Sequence, residues 1–288
     1  MKKVVLVTAL VFLCKVVVLA QDVNAKIDVC KKYLMDQKYT EVIEECQVLF
    51  ESDLDSVNSG LVYAFAGLAN KELGNSDQAV AYLKKSIEYR VKRYDIYETF
   101  IGLTNEKNDG ENYEFGLLQE AFAFPDLAYL VNPKLVNYYI KSKQYEKLIG
   151  FSDKMLESNP NDVDYLYYSA YGYQHLKQSD KAEEYFLKVL NNNPDHKNAN
   201  LSLGNLYFKK ASQEYNLQKK KYEKLKSPTR VDYDHYRKSL EHSKSIYEKA
   251  LPYLLKVYNN EPNDNLKGVL YNVYSRLDKK ELASQYKQ

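Results

Sequence analysis

Tryptophan is absent from this chain, histidine occurs four times, and only ten glycines and seven prolines are spread over 288 residues. A sandwich or barrel of many short strands needs turn-formers roughly every eight to twelve residues, so that class is excluded by scarcity. The histidines, His175, His196, His235 and His242, are scattered, and only the last two fall on one element, seven residues apart. No Cys/His set has zinc spacing, no HExxH occurs, and no glycine-rich loop precedes a Lys-Ser or Lys-Thr pair. A G-x-S-x-G elbow is missing too. Paired acids such as Glu44-Glu45 and Glu183-Glu184 read as helix surface. The expectation is a chain without catalytic residues, metal site or cofactor, and therefore not an enzyme.

What is plentiful is tyrosine, 29 residues, within an apolar content of 45%. That is enough to bury a core, and with so few turn-formers the core is expected to be helical. The one strongly apolar stretch is at the start. Met1-Lys2-Lys3 is a charged opening, Val4 to Cys14 an apolar run, and Val18-Leu19-Ala20 a small-residue exit before Gln21. This reads as a secretory signal peptide over residues 1–20. The rival, a retained anchor, is opposed by Lys15, since a lysine at the centre of a spanning helix costs about 2.5–3.5 kcal/mol. A lipoprotein signal at Cys14 is opposed by the large Val11-Phe12-Leu13 before it. Removal of residues 1–20 takes away Lys2, Lys3 and Lys15 and no acids, so the formal charge falls from +2 to −1. Nothing in that balance attracts nucleic acid or a membrane globally. The expected location is exported: periplasmic or otherwise associated with a bacterial cell envelope, with no membrane span after cleavage and peripheral envelope association left open.

Internal periodicity organises the rest. Asn159-Pro160-Asn161-Asp162, Asn193-Pro194-Asp195 and Glu261-Pro262-Asn263-Asp264 each close an apolar helical stretch, and the first two prolines lie 34 residues apart. Twelve residues before the prolines stand Leu148, Ala182 and Ala250, and twelve before the first two of these stand Val136 and Ala170. Gly67 precedes Ala79, and Cys30 precedes Val42, by the same interval, and Leu203-Gly204-Asn205-Leu206-Tyr207 forms a further block.

These residues resemble the tetratricopeptide-repeat family in its exported bacterial form, with L-G-x-x-Y in a first helix, A-x-x-x-F in a second and a closing Pro. Ala170, Tyr173, Ala182, Phe186 and Pro194 occupy the family's places in the best unit. The resemblance implies an all-α solenoid of helical hairpins wound as a right-handed superhelix, because one hairpin cannot bury its apolar face and a stack can. The expected units are about 23–56, 57–93, a degenerate 94–128, 129–162, 163–196 and 197–264, then C-terminal capping helices over 265–288. In the degenerate unit Gly102 is the candidate crossing residue, and Asn108-Asp109-Gly110-Glu111-Asn112 is expected to lengthen the turn.

One departure stands out. Gly204 and Ala250 are 46 residues apart where the other units have 12, an excess of 34. A whole extra unit would put Asn216, Lys220 and Lys238 at sites that need small or apolar residues. The pattern instead favours a protruding antiparallel helical hairpin over about 209–246, turning near Ser227-Pro228, with Tyr233, Tyr236, Leu240, Tyr247, Ala250 and Leu254 along one seam and Tyr207, Ala211, Tyr222 and Leu225 facing them. Ten cations from Lys209 to Lys238 stand against five acids from Glu214 to Glu241. Bases, sugars or an anionic membrane are conceivable partners for that surface; the reading adopted is lysines coating the solvent side of a narrow projection, with no nucleic-acid partner.

The resemblance also implies where a ligand sits, on the exposed residues of the first helices along the concave groove. Carried onto this chain these are Asn137 and Lys141, then Tyr167, Tyr171, Gln174 and His175, then Asn205, Phe208 and Lys209. Aromatic area beside amides suits a peptide. The family's carboxylate clamp is not reproduced, since Pro133 and Leu201 replace its basic first-helix residue, although Asn137 and Asn205 match its asparagine. Cys30 and Cys46 fall at one height on the two helices of the first hairpin, a possible disulfide or two buried thiols. The functional expectation is a scaffold holding a protein or peptide of unknown identity in the groove; the alternative is an accessory protein binding a carbohydrate or surface polymer.

Overall fold

A computed structural model describes residues 23–287. The signal-peptide reading over residues 1–20 lies outside the described residues. Among the described residues there is no β-strand, and no helix is long and apolar enough to cross a membrane. The described residues divide into two units, one up to Tyr138 and one from Tyr139.

The N-terminal unit contains α1 (23–35), α2 (Tyr39–Phe50), α3 (Ser56–Glu72), α4 (Ser76–Glu88), α5 (Tyr94–Glu106), α6 (Gly110–Ala123), a 3-10 turn (Pro125–Leu127) and most of α7 (Ala128–Lys141). The C-terminal unit contains α8 (Tyr145–Ser158), α9 (Val163–His175), α10 (Ser179–Asn192), α11 (Lys197–Glu223), α12 (Arg230–Asn260), α13 (Asp264–Arg276) and α14 (Lys280–Gln285). Both are stacks of antiparallel helices, the all-α repeat architecture expected.

The stacking repeats because the turns repeat. Gln37, Gly74, Asn108, Lys143, Lys177 and Asp278 each follow a first helix with φ between 54° and 79°. At all six, the next residue donates its N–H to the carbonyl five residues back, as Asn75 does to Asn70, at 2.8–3.0 Å. This is the left-handed stop that satisfies the last carbonyls of a helix. Seven residues before and five after the turn residue come the positions where the two helices cross: Cys30 and Val42, Gly67 and Ala79, Ala170 and Ala182, all buried. The residues before the three repeat prolines also share one conformation: Asn159, Asn193 and Glu261 have φ near −140° and ψ near 85°, as the proline ring forbids the helical region to its predecessor.

The same register corrects two expectations for residues 94–128. The turn is not lengthened: Asn108 takes the left-handed position and Asp109 caps α6, accepting from Asn112 N–H at 3.3 Å. Gly102 is exposed and no neighbour would meet a Cβ there. The crossing places fall to Ile101 and Tyr113, both large, and close approach moves to Gly116, where a Cβ would lie 2.8 Å from Ile101 and Phe100. The irregularity is one of side-chain volume, not of loop length.

Cores form between neighbours. Ile27, Cys30, Val42, Cys46 and Leu49 bury against Val62 and Phe65 of α3, whose opposite face joins Leu83, Ile87, Ile96 and Phe100. In the C-terminal unit one continuous cluster runs from Leu166 through Phe186, Leu203, Tyr247 and Leu254 to Leu270. Each such side chain contributes roughly 1.5–3 kcal/mol by leaving water.

The protruding hairpin is present as α11 and α12, at 27 and 31 residues the longest helices described, joined through Lys224–Thr229. Tyr207, Ala211, Tyr247, Ala250 and Leu254 are buried at its base as the seam predicts. Further out the seam fails. Tyr222 stacks on Tyr236 with centroids 4.5 Å apart, but Leu225 and Tyr233 are exposed. A two-helix ribbon has no third element there to cover a second row of side chains, so only the central pair is shielded.

Candidate partner-binding face

The C-terminal unit brings several of the proposed contact residues together. Tyr167 and Tyr171 are one turn apart on α9, centroids 6.3 Å apart, and His175 follows one turn on, 4.3 Å from Tyr171. Tyr145 of α8 stacks on His175 at 4.5 Å and meets Tyr171 edge-on. At the other end Tyr167 lies 4.9 Å from His196, the residue that caps α11. The result is a continuous aromatic strip from the start of α8 to the start of α11. Burial raises the phenol pKa of both Tyr167 and Tyr171 above the ordinary value, so both rings are neutral at physiological pH and offer hydroxyl groups as well as apolar faces.

The end of α9, the α9–α10 turn and α11 enclose a cavity of about 420 Å³. Gln174 lines it from α9, and Asn205 and Lys209 from α11, three of the proposed contacts. The remaining wall was not anticipated: Lys177, Ser179 and Asp180 from the α9–α10 turn, and Leu206, Lys210 and Gln213 from α11. Lys210 sits 3.7 Å from Asp180 and 3.9 Å from Glu183, so part of its charge is already balanced. Glu183 also accepts from the Tyr207 hydroxyl at 2.7 Å, which with burial pushes that phenol pKa up. Lys177 and Lys209 have no ion-pair partner among the described residues, leaving amides, a hydroxyl and two cations facing the space.

Not every proposed residue converges. Phe208 is partly buried against the core, 5.9 Å from Tyr247, so its ring serves packing more than an open surface. Lys141 is exposed at the end of α7, and Asn137, also exposed, belongs to the N-terminal unit. Tyr145 lies outside the expected contacts because it begins a second helix, whereas the resemblance places contacts on first helices; its place two residues after the turn residue Lys143 is the signal for it in the sequence. In the N-terminal unit Cys30 and Cys46 are buried free thiols, their sulfurs 4.0 Å apart. Among the described residues no three His, Cys, Asp or Glu gather as a metal site would require.

Residues 61–90 and 164–196 match the sequence profile of the tetratricopeptide repeat. No curated protein matches the chain. Among solved structures, a protein from Bacteroides ovatus provisionally described as protein-binding is 27% identical, with 80% of this chain and 100% of that one covered and a TM-score of 0.44. PilF of Pseudomonas aeruginosa is 14% identical over 80% of this chain and 90% of its own, TM-score 0.46. YrrB, a tetratricopeptide-repeat protein with an unusual peptide-binding site, is 17% identical over 84% and 97%, TM-score 0.38.

Proposed function

We propose that this tetratricopeptide-repeat chain is an exported interaction scaffold of a bacterial cell envelope, holding an extended peptide segment of a protein partner along α9 and α11. The observation that carries the reading is that α9 bears both the Tyr167–Tyr171–His175 strip and Gln174, which lines a cavity together with Asn205 and Lys209 of α11. Rings remove apolar side chains of a peptide from water, the amides pair with its main chain, and Lys177 and Lys209 favour an acidic group on it. Export rests on the charged, apolar and small-residue order of residues 1–20.

The test is a crosslinking pull-down from native envelopes with wild type, Tyr167→Ala/Tyr171→Ala, and a deletion of residues 213–243. One protein captured by wild type and by the deletion, but lost with the tyrosine variant, supports the groove. Capture unchanged by the tyrosine variant removes the groove. Retention of wild type on a polysaccharide matrix, with no protein captured, overturns the scaffold in favour of polymer binding.

A further inference from the structure

The end of the α11–α12 hairpin combines two features that a merely solvated projection does not need. Leu225 and Val231 flank the connecting loop with 43% and 63% of their surface exposed, and Tyr233 follows at 52%. Between and beside them stand Lys224, Lys226 and Arg230, with no carboxylate from residue 224 through 231. None of the three has an ion-pair partner among the described residues, whereas Lys219 pairs with Glu223 and Arg237 with Asp234 further back. The loop is ordered despite its exposure. Thr229 and Asp232 form a reciprocal cap: the Thr229 N–H and hydroxyl both donate to the Asp232 carboxylate, at 2.8 and 2.6 Å, and the Asp232 N–H donates back at 3.2 Å. That cap engages Asp232, the acid next to Val231.

We propose that this tip docks end-on onto an anionic phospholipid surface, with Leu225 and Val231 entering the interface and Lys224, Lys226 and Arg230 meeting the headgroups. Charge geometry selects a membrane over an acidic protein. Successive helix residues point about 100° apart, so Lys219, Lys220 and Lys221 fan around more than half the circumference of α11. A rigid acidic surface meets one side of such a fan, while a fluid surface approached by the tip surrounds all of it. Side chains that a two-helix ribbon cannot cover are covered by headgroups and acyl chains, and cations add attraction that falls away within a Debye length. The proposal is independent of the partner-binding face, whose α11 residues end at Gln213, before the tip.

The experiment is flotation of the purified chain with vesicles of phosphatidylcholine alone or mixed with phosphatidylglycerol. Wild type is expected to float with the anionic vesicles and be released by high salt. Lys224→Glu/Lys226→Glu/Arg230→Glu should weaken partition by roughly two orders of magnitude, and Leu225→Ser/Val231→Ser by about tenfold. Because the chain has no tryptophan, Leu225→Trp is a single-site reporter whose emission should move to shorter wavelength on anionic vesicles only. Equal flotation of wild type and both tip variants overturns the proposal. Emission that stays unmoved while polyglutamate binds the same cations also overturns it, in favour of an acidic protein.

Discussion

Two glycines in the middle of helices of the C-terminal unit should respond differently to alanine, one gaining stability and the other not. At Gly204 on α11 an added Cβ would stand 2.7 Å from Leu254 Cδ2, 2.8 Å from its Cγ and 3.3 Å from its backbone nitrogen. Leu254 is fully buried in the continuous core and cannot swing away. At Gly150 on α8 the same Cβ would meet nothing within 4 Å. Alanine gains about 1 kcal/mol over glycine inside a helix at either site. Gly204→Ala then loses about 1–3 kcal/mol to overpacking, which cancels or outweighs that gain. Gly150→Ala keeps it. For a unit of this size about 1 kcal/mol moves the midpoint by roughly 2–4 °C, so Gly150→Ala should melt a few degrees above wild type and Gly204→Ala at or below it. Thermal and urea melts followed by far-ultraviolet circular dichroism read the difference. If Gly204→Ala melts at or above Gly150→Ala, close helix crossing is not what requires the small residue, and the packing account of the repeat fails.

Glu120 on α6 is 2% exposed and its Oε2 has no hydrogen-bond partner. Burial pushes its carboxyl above the usual carboxylate pKa, with Lys134 opposing and Glu98 adding to the shift. The folded state therefore holds the proton more tightly than the unfolded chain, and stability present at low pH falls as pH rises through the folded pKa. Glu120→Gln should abolish that fall: its melting point should exceed that of wild type at neutral pH, by a margin that closes as pH drops to about 4; a margin constant with pH refutes the assignment. The Cys30 and Cys46 thiols, both fully buried, should resist thiol reagents in the native protein and yield two reactive thiols on reduced denaturation. Oxidation with glutathione disulfide should instead leave none in denatured, unreduced protein and add about 3 kcal/mol for a closed loop of this size. Two thiols with an unchanged melt would remove the bridge.

Much of the architecture was legible because it is local. A left-handed turn residue, a crossing residue seven positions before it and another five after it, and a proline closing the hairpin all fall within one repeat, so spacing alone locates the helices. The inserted hairpin was legible for the same reason: Asn216, Lys220 and Lys238 cannot occupy packing positions, and all three are exposed. What spacing could not determine depends on which surfaces a third element covers. Gly102 has the composition of a crossing residue but not the register, and the close approach falls to Gly116 because Ile101 and Phe100 are what it faces. Leu225 and Tyr233 fit the seam by sequence yet are exposed, since nothing flanks the distal ribbon. The partner-binding face divides in the same way. Tyr167, Tyr171 and His175 follow from helical spacing, but the joining of Tyr145 and His196 into one aromatic strip, and of Lys177 and Lys210 into one cavity wall, comes from how successive hairpins rotate against each other. Sequence periodicity specifies the unit; side-chain volumes at the crossings decide the rotation, and only the packed structure carries that sum.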